Sequence, residues 1–167
     1  MTAPGDQPEE YAQLNNLTRM EWVSLGDPVM GGCSEGSATP DEHGSLCFKG
    51  VVRLDNGGGF ASVKADLDTP LDLSGWKGIQ LRVKGDGRHY KLGLRLSTNR
   101  NSPVYQHRFA TEADQWQTVH VAFRDFEASL RGKKRPEAPP LDPTSIWSLS
   151  LFVSERQAGA FCLYLSG

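Results

Sequence analysis

The chain has no run of about 18 apolar residues, which excludes a membrane-spanning helix. Cysteine is scarce: Cys33, Cys47 and Cys162 are the three in 167 residues. An odd number without close pairs fits neither a disulfide framework nor a zinc knuckle, so all three read as small buried hydrophobes. A net charge of −2 provides no global field toward nucleic acid or membrane. The four histidines, His43, His89, His107 and His120, form no His-x-x-x-His or Cys-x-x-His spacing that would point to a metal. A Walker loop and a solenoid repeat are also missing. These absences predict no catalytic residues, no metal and no cofactor. The first sixteen residues lack the basic and apolar regions of a secretory signal and the arginines of a transit peptide. That predicts a reducing, cytoplasmic location.

What is present is a turn-rich composition at single-domain length, with 18 glycines, 10 prolines and 38% hydrophobic residues. The apolar pattern has period two over most of the chain. Ile79, Leu81 and Val83 alternate with Gln80, Arg82 and Lys84. Tyr90, Leu92 and Leu94 alternate with Lys91, Gly93 and Arg95. Similar alternations run through Leu46–Lys49, Val119–Arg124, Leu149–Val153 and Phe161–Leu165. Alternate side chains of a strand point to opposite faces. Short strands separated by Gly/Asn/Asp turns predict an all-β fold, an antiparallel β-sandwich or jelly roll. Tyr11, Leu14, Leu17 and Thr18 share one helical face, which predicts a short N-terminal helix around residues 9–20. The expected organisation is a helical extension over residues 1–20 and a β-sandwich over residues 21–167.

Charge is uneven along the chain. Residues 1–50 hold eight acidic and two basic side chains, and residues 82–135 hold twelve basic and five acidic. Arg82, Lys84, Lys91 and Arg95 fall at outward positions of two runs joined by one tight turn. Paired as a hairpin, those runs would form a basic stripe, either a solvated face or an anion- or partner-binding surface. Residues 131–143 join four basic residues to Pro136, Pro139, Pro140 and Pro143 and read as an exposed loop. Arg131, Lys133, Lys134 and Arg135 suit phosphate contacts, but no aromatic is interleaved, which makes RNA binding the weaker reading.

Three local constellations stand out. In Gly26-Asp27-Pro28-Val29-Met30-Gly31-Gly32-Cys33-Ser34, Asp27 suits a cation or a backbone N–H, and Met30 a core gap. In Asp55-Asn56-Gly57-Gly58-Gly59-Phe60, the glycines suit a hairpin turn or an anion nest. In Lys84-Gly85-Asp86-Gly87-Arg88-His89-Tyr90, Lys84 and Arg88 suit an acidic group, and Asp86 a turn. Asp27, Asp55 and Asp86 are hard oxygen ligands of the kind calcium takes. Trp76, Trp116, Trp147, Tyr105 and Tyr164 are available for sugar stacking or for the core.

Taken in order, these segments resemble the complex I intermediate-associated protein 30 family. The resemblance also takes in Trp22, Phe48-Lys49-Gly50-Val51-Val52, Trp116, Phe123-Arg124-Asp125-Phe126, Arg131-Gly132 and Gly159-Ala160-Phe161-Cys162-Leu163, and covers about residues 20–165. It implies a galactose-binding-like β-sandwich and a non-catalytic, chaperone-like role. Mitochondrial members assist assembly of respiratory complex I, and similar plastid domains are linked to photosystem II. The implied partners are therefore protein subunits of a membrane electron-transfer complex, met at the cytoplasmic side or at the membrane periphery. A carbohydrate-binding module is the alternative, and nucleic acid is the least favoured partner. The residues that resemblance and chemistry together select for binding are Asp27, Met30, Lys84, Asp86, Arg88 and Arg131. Cys33 departs from the family pattern, which often has an apolar residue there.

Overall fold

The structure, a computed structural model, describes residues 10–14, 17–24, 35–53, 60–99, 101–130, 133–153 and 157–166. The described chain is almost entirely β. Its strands are β1 (Tyr11–Gln13), β2 (Trp22–Ser24), β3 (Glu35–Pro40), β4 (Ser45–Val52), β5 (Ala61–Leu71), β6 (Gly78–Lys84) and β7 (His89–Arg95). They continue as β8 (Val104–Ala110), β9 (Trp116–Ala122), β10 (Glu127–Leu130), β11 (Lys133–Lys134), β12 (Ile146–Val153) and β13 (Gly159–Ser166).

The period-two runs become the walls of one core. Leu46, Phe48, Ile79, Leu81, Val83, Phe161, Leu163 and Leu165 project inward from one sheet. Val63, Ala65, Tyr90, Leu92, Leu94, Leu149, Leu151 and Val153 meet them from the other. Burying each large side chain contributes roughly 1.5–3 kcal/mol. The first sheet has six strands and runs β1-β6-β13-β4-β3, with β9 also paired to β6. Strand β9 lies along the whole of β6, Gly78↔Ala122 to Lys84↔Trp116. The other edge of β6 is shared, by β1 at Gly78–Gln80 and by β13 at Val83 and Lys84. The second sheet runs β11-β10-β8-β7-β12-β5-β2 and is antiparallel throughout.

Two expectations need correction. The N-terminal helix is not seen: Tyr11–Gln13 is a strand parallel to β6, followed by a single 3₁₀ turn at Leu17–Arg19. Ala12 and Leu14 turn inward with period two, and both are buried. An isolated helix of that length is marginal in water, whereas the start of β6 offers unpaired backbone groups. The Lys77 amide also donates to the Glu10 carbonyl, 2.6 Å away, and fixes the entry of the segment. The second correction concerns β6 and β7, which do not form a hairpin but belong to different sheets. Alternation shows which side chains share a face; it does not distinguish a strand's neighbour from the strand across the core. The basic stripe is therefore split. Arg82 and Lys84 lie on the outer face of the six-stranded sheet, while Lys91 and Arg95 lie on the outer face of the seven-stranded one.

The basic Pro-rich segment is less open than a free loop. Lys133–Lys134 pairs with β10 at the sheet edge, and Ala138 and Leu141 pack against the core. Tyr105 donates its hydroxyl to the Pro139 carbonyl across 2.7 Å.

Candidate functional site

The Gly85–Arg88 segment carries the chain from one sheet to the other, and its polar residues are turned inward. Asp86 accepts four hydrogen bonds. At Oδ1 the donors are the Arg88 amide (3.2 Å) and the Tyr90 hydroxyl (3.0 Å). At Oδ2 they are Arg88 Nη1 (3.0 Å) and the Cys162 amide (2.9 Å). Arg88 also donates through Nη2 to the Ala158 carbonyl (2.9 Å) and through Nε to the Gln157 carbonyl (3.4 Å). The Gln157 side-chain amide pairs with both backbone groups of His89, at 2.9 Å each. Asp86 and Arg88 thus clamp the corner to the start of β13. With donors on both oxygens, Asp86 is a poor cation ligand, and no cluster of three or more His, Cys, Asp or Glu suited to a metal occurs among the described residues.

Backbone geometry explains the glycines of this corner. A Cβ on Gly85 would collide with the side chain of Thr111. That threonine accepts from the Gly87 amide (3.1 Å) and donates to the Arg88 carbonyl (2.7 Å). Gly87 has φ +91°, a left-handed conformation that glycine adopts without strain.

Tyr90 ties the clamp to the core, since its ring packs edge-on to Phe48 and stacks with Phe109, both at 6.2 Å between centroids. Burial, then the charge of Asp86, pushes its phenol far above the ordinary range.

Lys84, the first residue of the same motif, points the other way. It lies on the outer face of β6 with its ammonium 4.9 Å from the Tyr164 ring centroid and 5.6 Å from that of Trp116. The Arg82 guanidinium is 5.7 Å from the Trp116 centroid. These distances fall within cation–π range. Strand register produces the cluster, because Lys84 is paired with Trp116 on one side and Tyr164 on the other. Trp116 is 38% exposed, a large apolar surface that the core does not use.

Beside the cluster is a groove of about 460 Å3, bounded by the β3–β4 turn, Ser45, Cys47, Lys49, Lys84, Trp116 and Tyr164. On its rim Asp41 accepts from the amides of Ser45 and His43, each at 2.8 Å. The Ser45 bond is the leading cause that holds the Asp41 carboxyl below its ordinary value, with His43 and Lys84 adding attraction. On its floor Cys47 lies with its sulfur 3.8 Å from that of Cys162 on the next strand. Burial, then the neighbouring Cys162, pushes the Cys47 thiol up to about 11. A hydrogen bond with Cys162 is the first cause that raises Tyr164 to about 12.

Sequence reasoning selected Lys84 but missed the Trp116–Lys84–Tyr164 cluster and the cysteine pair. Period two sets Tyr164, Cys47 and Cys162 on the face opposite Leu46, Phe48, Leu163 and Leu165, although the cysteines read as small buried hydrophobes; only the register of β13 against β4 and β6 brings the three together. Among the other aromatics, Tyr105 is buried, Trp147 is half-buried, and Trp76 is exposed in the turn before β6. Three of the selected residues, Asp27, Met30 and Arg131, lie outside the described residues, as do Cys33, Asp55 and residues 57–59. The basic segment pairs locally with acid, Lys134 with Glu127 (3.5 Å) and Arg135 with Glu137 (3.8 Å). On the outer face of the seven-stranded sheet, Arg95 has a buried Nε without a hydrogen-bond partner among the described residues.

The sequence profile of the complex I intermediate-associated protein 30 (CIA30) family matches residues 10–165. The chain belongs to the CIA30 family. Mitochondrial complex I intermediate-associated protein 30 of Mus musculus is 31% identical over 96 residues, which is 55% of this chain and 29% of the mouse protein. The Neurospora crassa protein of the same name is 26% identical over 91 residues, 54% of this chain and 33% of its own length. The chain therefore spans about a third of either. An uncharacterized protein of Schizosaccharomyces pombe is 26% identical over 175 residues, covering 93% of this chain and 80% of the yeast protein.

Among solved structures, the family 11 carbohydrate-binding module of Clostridium thermocellum, in complex with a mixed-linked tetrasaccharide, superposes with a TM-score of 0.61. It is 17% identical, over 92% of this chain and 91% of the module. A family 30 carbohydrate-binding module gives 0.54 at 19% identity, over 87% of both chains. At these identities the likeness shows the jelly-roll fold alone. No helix among the described residues is long and apolar enough to cross a membrane.

Proposed function

We propose that this chain is a non-catalytic interaction module that assists assembly of a membrane electron-transfer complex, respiratory complex I or a photosynthetic complex. The match to the CIA30 family over residues 10–165 carries the reading. The outer face of the six-stranded sheet supports it, because Trp116 is 38% exposed there with Arg82 and Lys84 beside it. Exposed tryptophan with arginine beside it is the composition of an interface anchor. In this reading Lys84 contacts the partner, and Asp86 and Arg88 hold the corner that presents it. Asp27, Met30 and Arg131 remain candidate contacts on the strength of the family motif. The module works on the cytoplasmic side, at the membrane periphery.

The test is affinity capture with tagged chain from detergent-solubilised membranes of the native source. Retrieval of subunits of an electron-transfer complex is expected, and Trp116→Ala should reduce it about 30-fold, as for an anchor worth about 2 kcal/mol. Retrieval of no such subunit would overturn the proposal.

A second reading has one observation in its favour. Trp116 beside Tyr164 on a sheet face offers a stacking surface for a sugar ring. Titration with β-glucan oligosaccharides, followed by tryptophan fluorescence, decides it: saturable quenching abolished by Trp116→Ala supports it, and an unchanged spectrum removes it.

A further inference from the structure

Cys47 lies in β4 and Cys162 in β13, adjacent antiparallel strands. The register sets Cys47 opposite Tyr164 and Cys162 opposite Lys49, so the cysteines are diagonal neighbours on the outer face. Their sulfurs are 3.8 Å apart although 115 residues separate them in sequence. Neither is part of the cluster packed between the sheets, to which β4 contributes Leu46 and Phe48 and β13 contributes Phe161 and Leu163. Cys47 is 7% exposed, and Cys162 is half-buried and more open. Cys47 floors the groove beside Trp116. Cys162 lines a second depression, of about 490 Å3, and Lys49 borders both.

We propose that Cys47 and Cys162 form a reversible dithiol–disulfide pair that exchanges with glutathione disulfide or with a disulfide on a partner protein. Cys162, the more accessible thiol, loses its proton to solvent and attacks one sulfur of the incoming disulfide. The S–S bond of that disulfide breaks, and its other sulfur leaves as a thiolate that takes up a proton. Cys47 then attacks the Cys162 sulfur of the mixed disulfide; the second partner thiolate leaves and takes up the proton that Cys47 gives up. In sum, two cysteine thiols are oxidised by two electrons to one disulfide, and the partner disulfide is reduced to two thiols. Closing the pair requires the sulfurs to move from 3.8 Å to about 2.05 Å; for diagonal positions of a hydrogen-bonded ladder this takes a small backbone adjustment as well as side-chain rotation. The product is a second, covalent link between β4 and β13 in the floor of both grooves. None of this depends on the chain being an assembly factor.

The test uses the full chain carrying Cys33→Ser, so that the third cysteine takes no part. The folded protein is equilibrated in glutathione buffers from reducing to oxidising, quenched in acid, alkylated and mapped by mass spectrometry. Oxidation should link the Cys47 and Cys162 peptides with loss of two hydrogens, and dithiothreitol should reverse it. Adding Cys47→Ser should leave Cys162 as a stable glutathione adduct. The linked product should form about tenfold or more faster in the folded chain than in urea, because folding holds the thiols together. Full alkylation of both cysteines after the oxidising buffer, two separate glutathione adducts, or a link formed no faster in the folded chain would each overturn the proposal.

Discussion

At the scale of single residues, Asp86 is the side chain on which most depends. Its carboxylate gathers two groups of Arg88, the buried Tyr90 hydroxyl and strand β13 through the Cys162 amide. Asp86→Ala leaves several of those groups without a partner. It should destabilise the fold by about 3 kcal/mol, seen as a lower urea midpoint at unchanged slope. Tyr90→Phe removes one hydroxyl and should cost about 1 kcal/mol in the same assay. The tyrosine also gives a pH signature. Its folded pKa is raised above the unfolded value of about 10, so its contribution is complete below pH 10 and is lost as pH rises beyond it. Alkaline urea titrations should therefore show a stability loss above pH 10 that is shallower in Tyr90→Phe. The motif around Asp86 was legible as a special turn. Its role as a clamp was not, because the decisive donor comes from an amide 76 positions away.

At the scale of elements, inward and outward positions were readable from alternation, and the buried sets of β6, β7, β12 and β13 agree with that reading. Partnership between strands was not readable. Gly-Asp-Gly suits a hairpin turn, yet here it bridges two sheets, because β9 occupies one edge of β6 and a corner residue such as Asp86 is bonded inward. Tyr11, Leu14, Leu17 and Thr18 have helical spacing, yet residues 11–13 fill an open stretch of strand edge. Tertiary pairing outweighs local preference in a segment too short to hold a helix. The corner yields its own prediction. Gly85→Ala drives a methyl into Thr111 and should lower stability by about 2–3 kcal/mol, whereas Gly87→Ala meets open space and should cost about 1 kcal/mol of backbone strain. Thermal unfolding of the two variants checks the order, and equal losses would contradict the corner geometry.

At the scale of the whole molecule, the sandwich separates charges that the sequence places close together. Arg82 and Lys84 join Trp116 and Tyr164 on one outer face; Lys91 and Arg95 lie on the other. A partner that reads the first face is therefore insensitive to the second, and Lys91→Ala should leave capture of membrane subunits within about twofold of the parent chain, as rim or remote charges do. The most direct measurement is photo-cross-linking in cells of the native source, with a benzophenone amino acid in place of Trp116 and, as control, in place of Lys91. The interaction reading predicts adducts from position 116 to a subunit or assembly intermediate of a membrane electron-transfer complex, and none above background from position 91. Equal labelling from both positions, or no such subunit at 116, would contradict it.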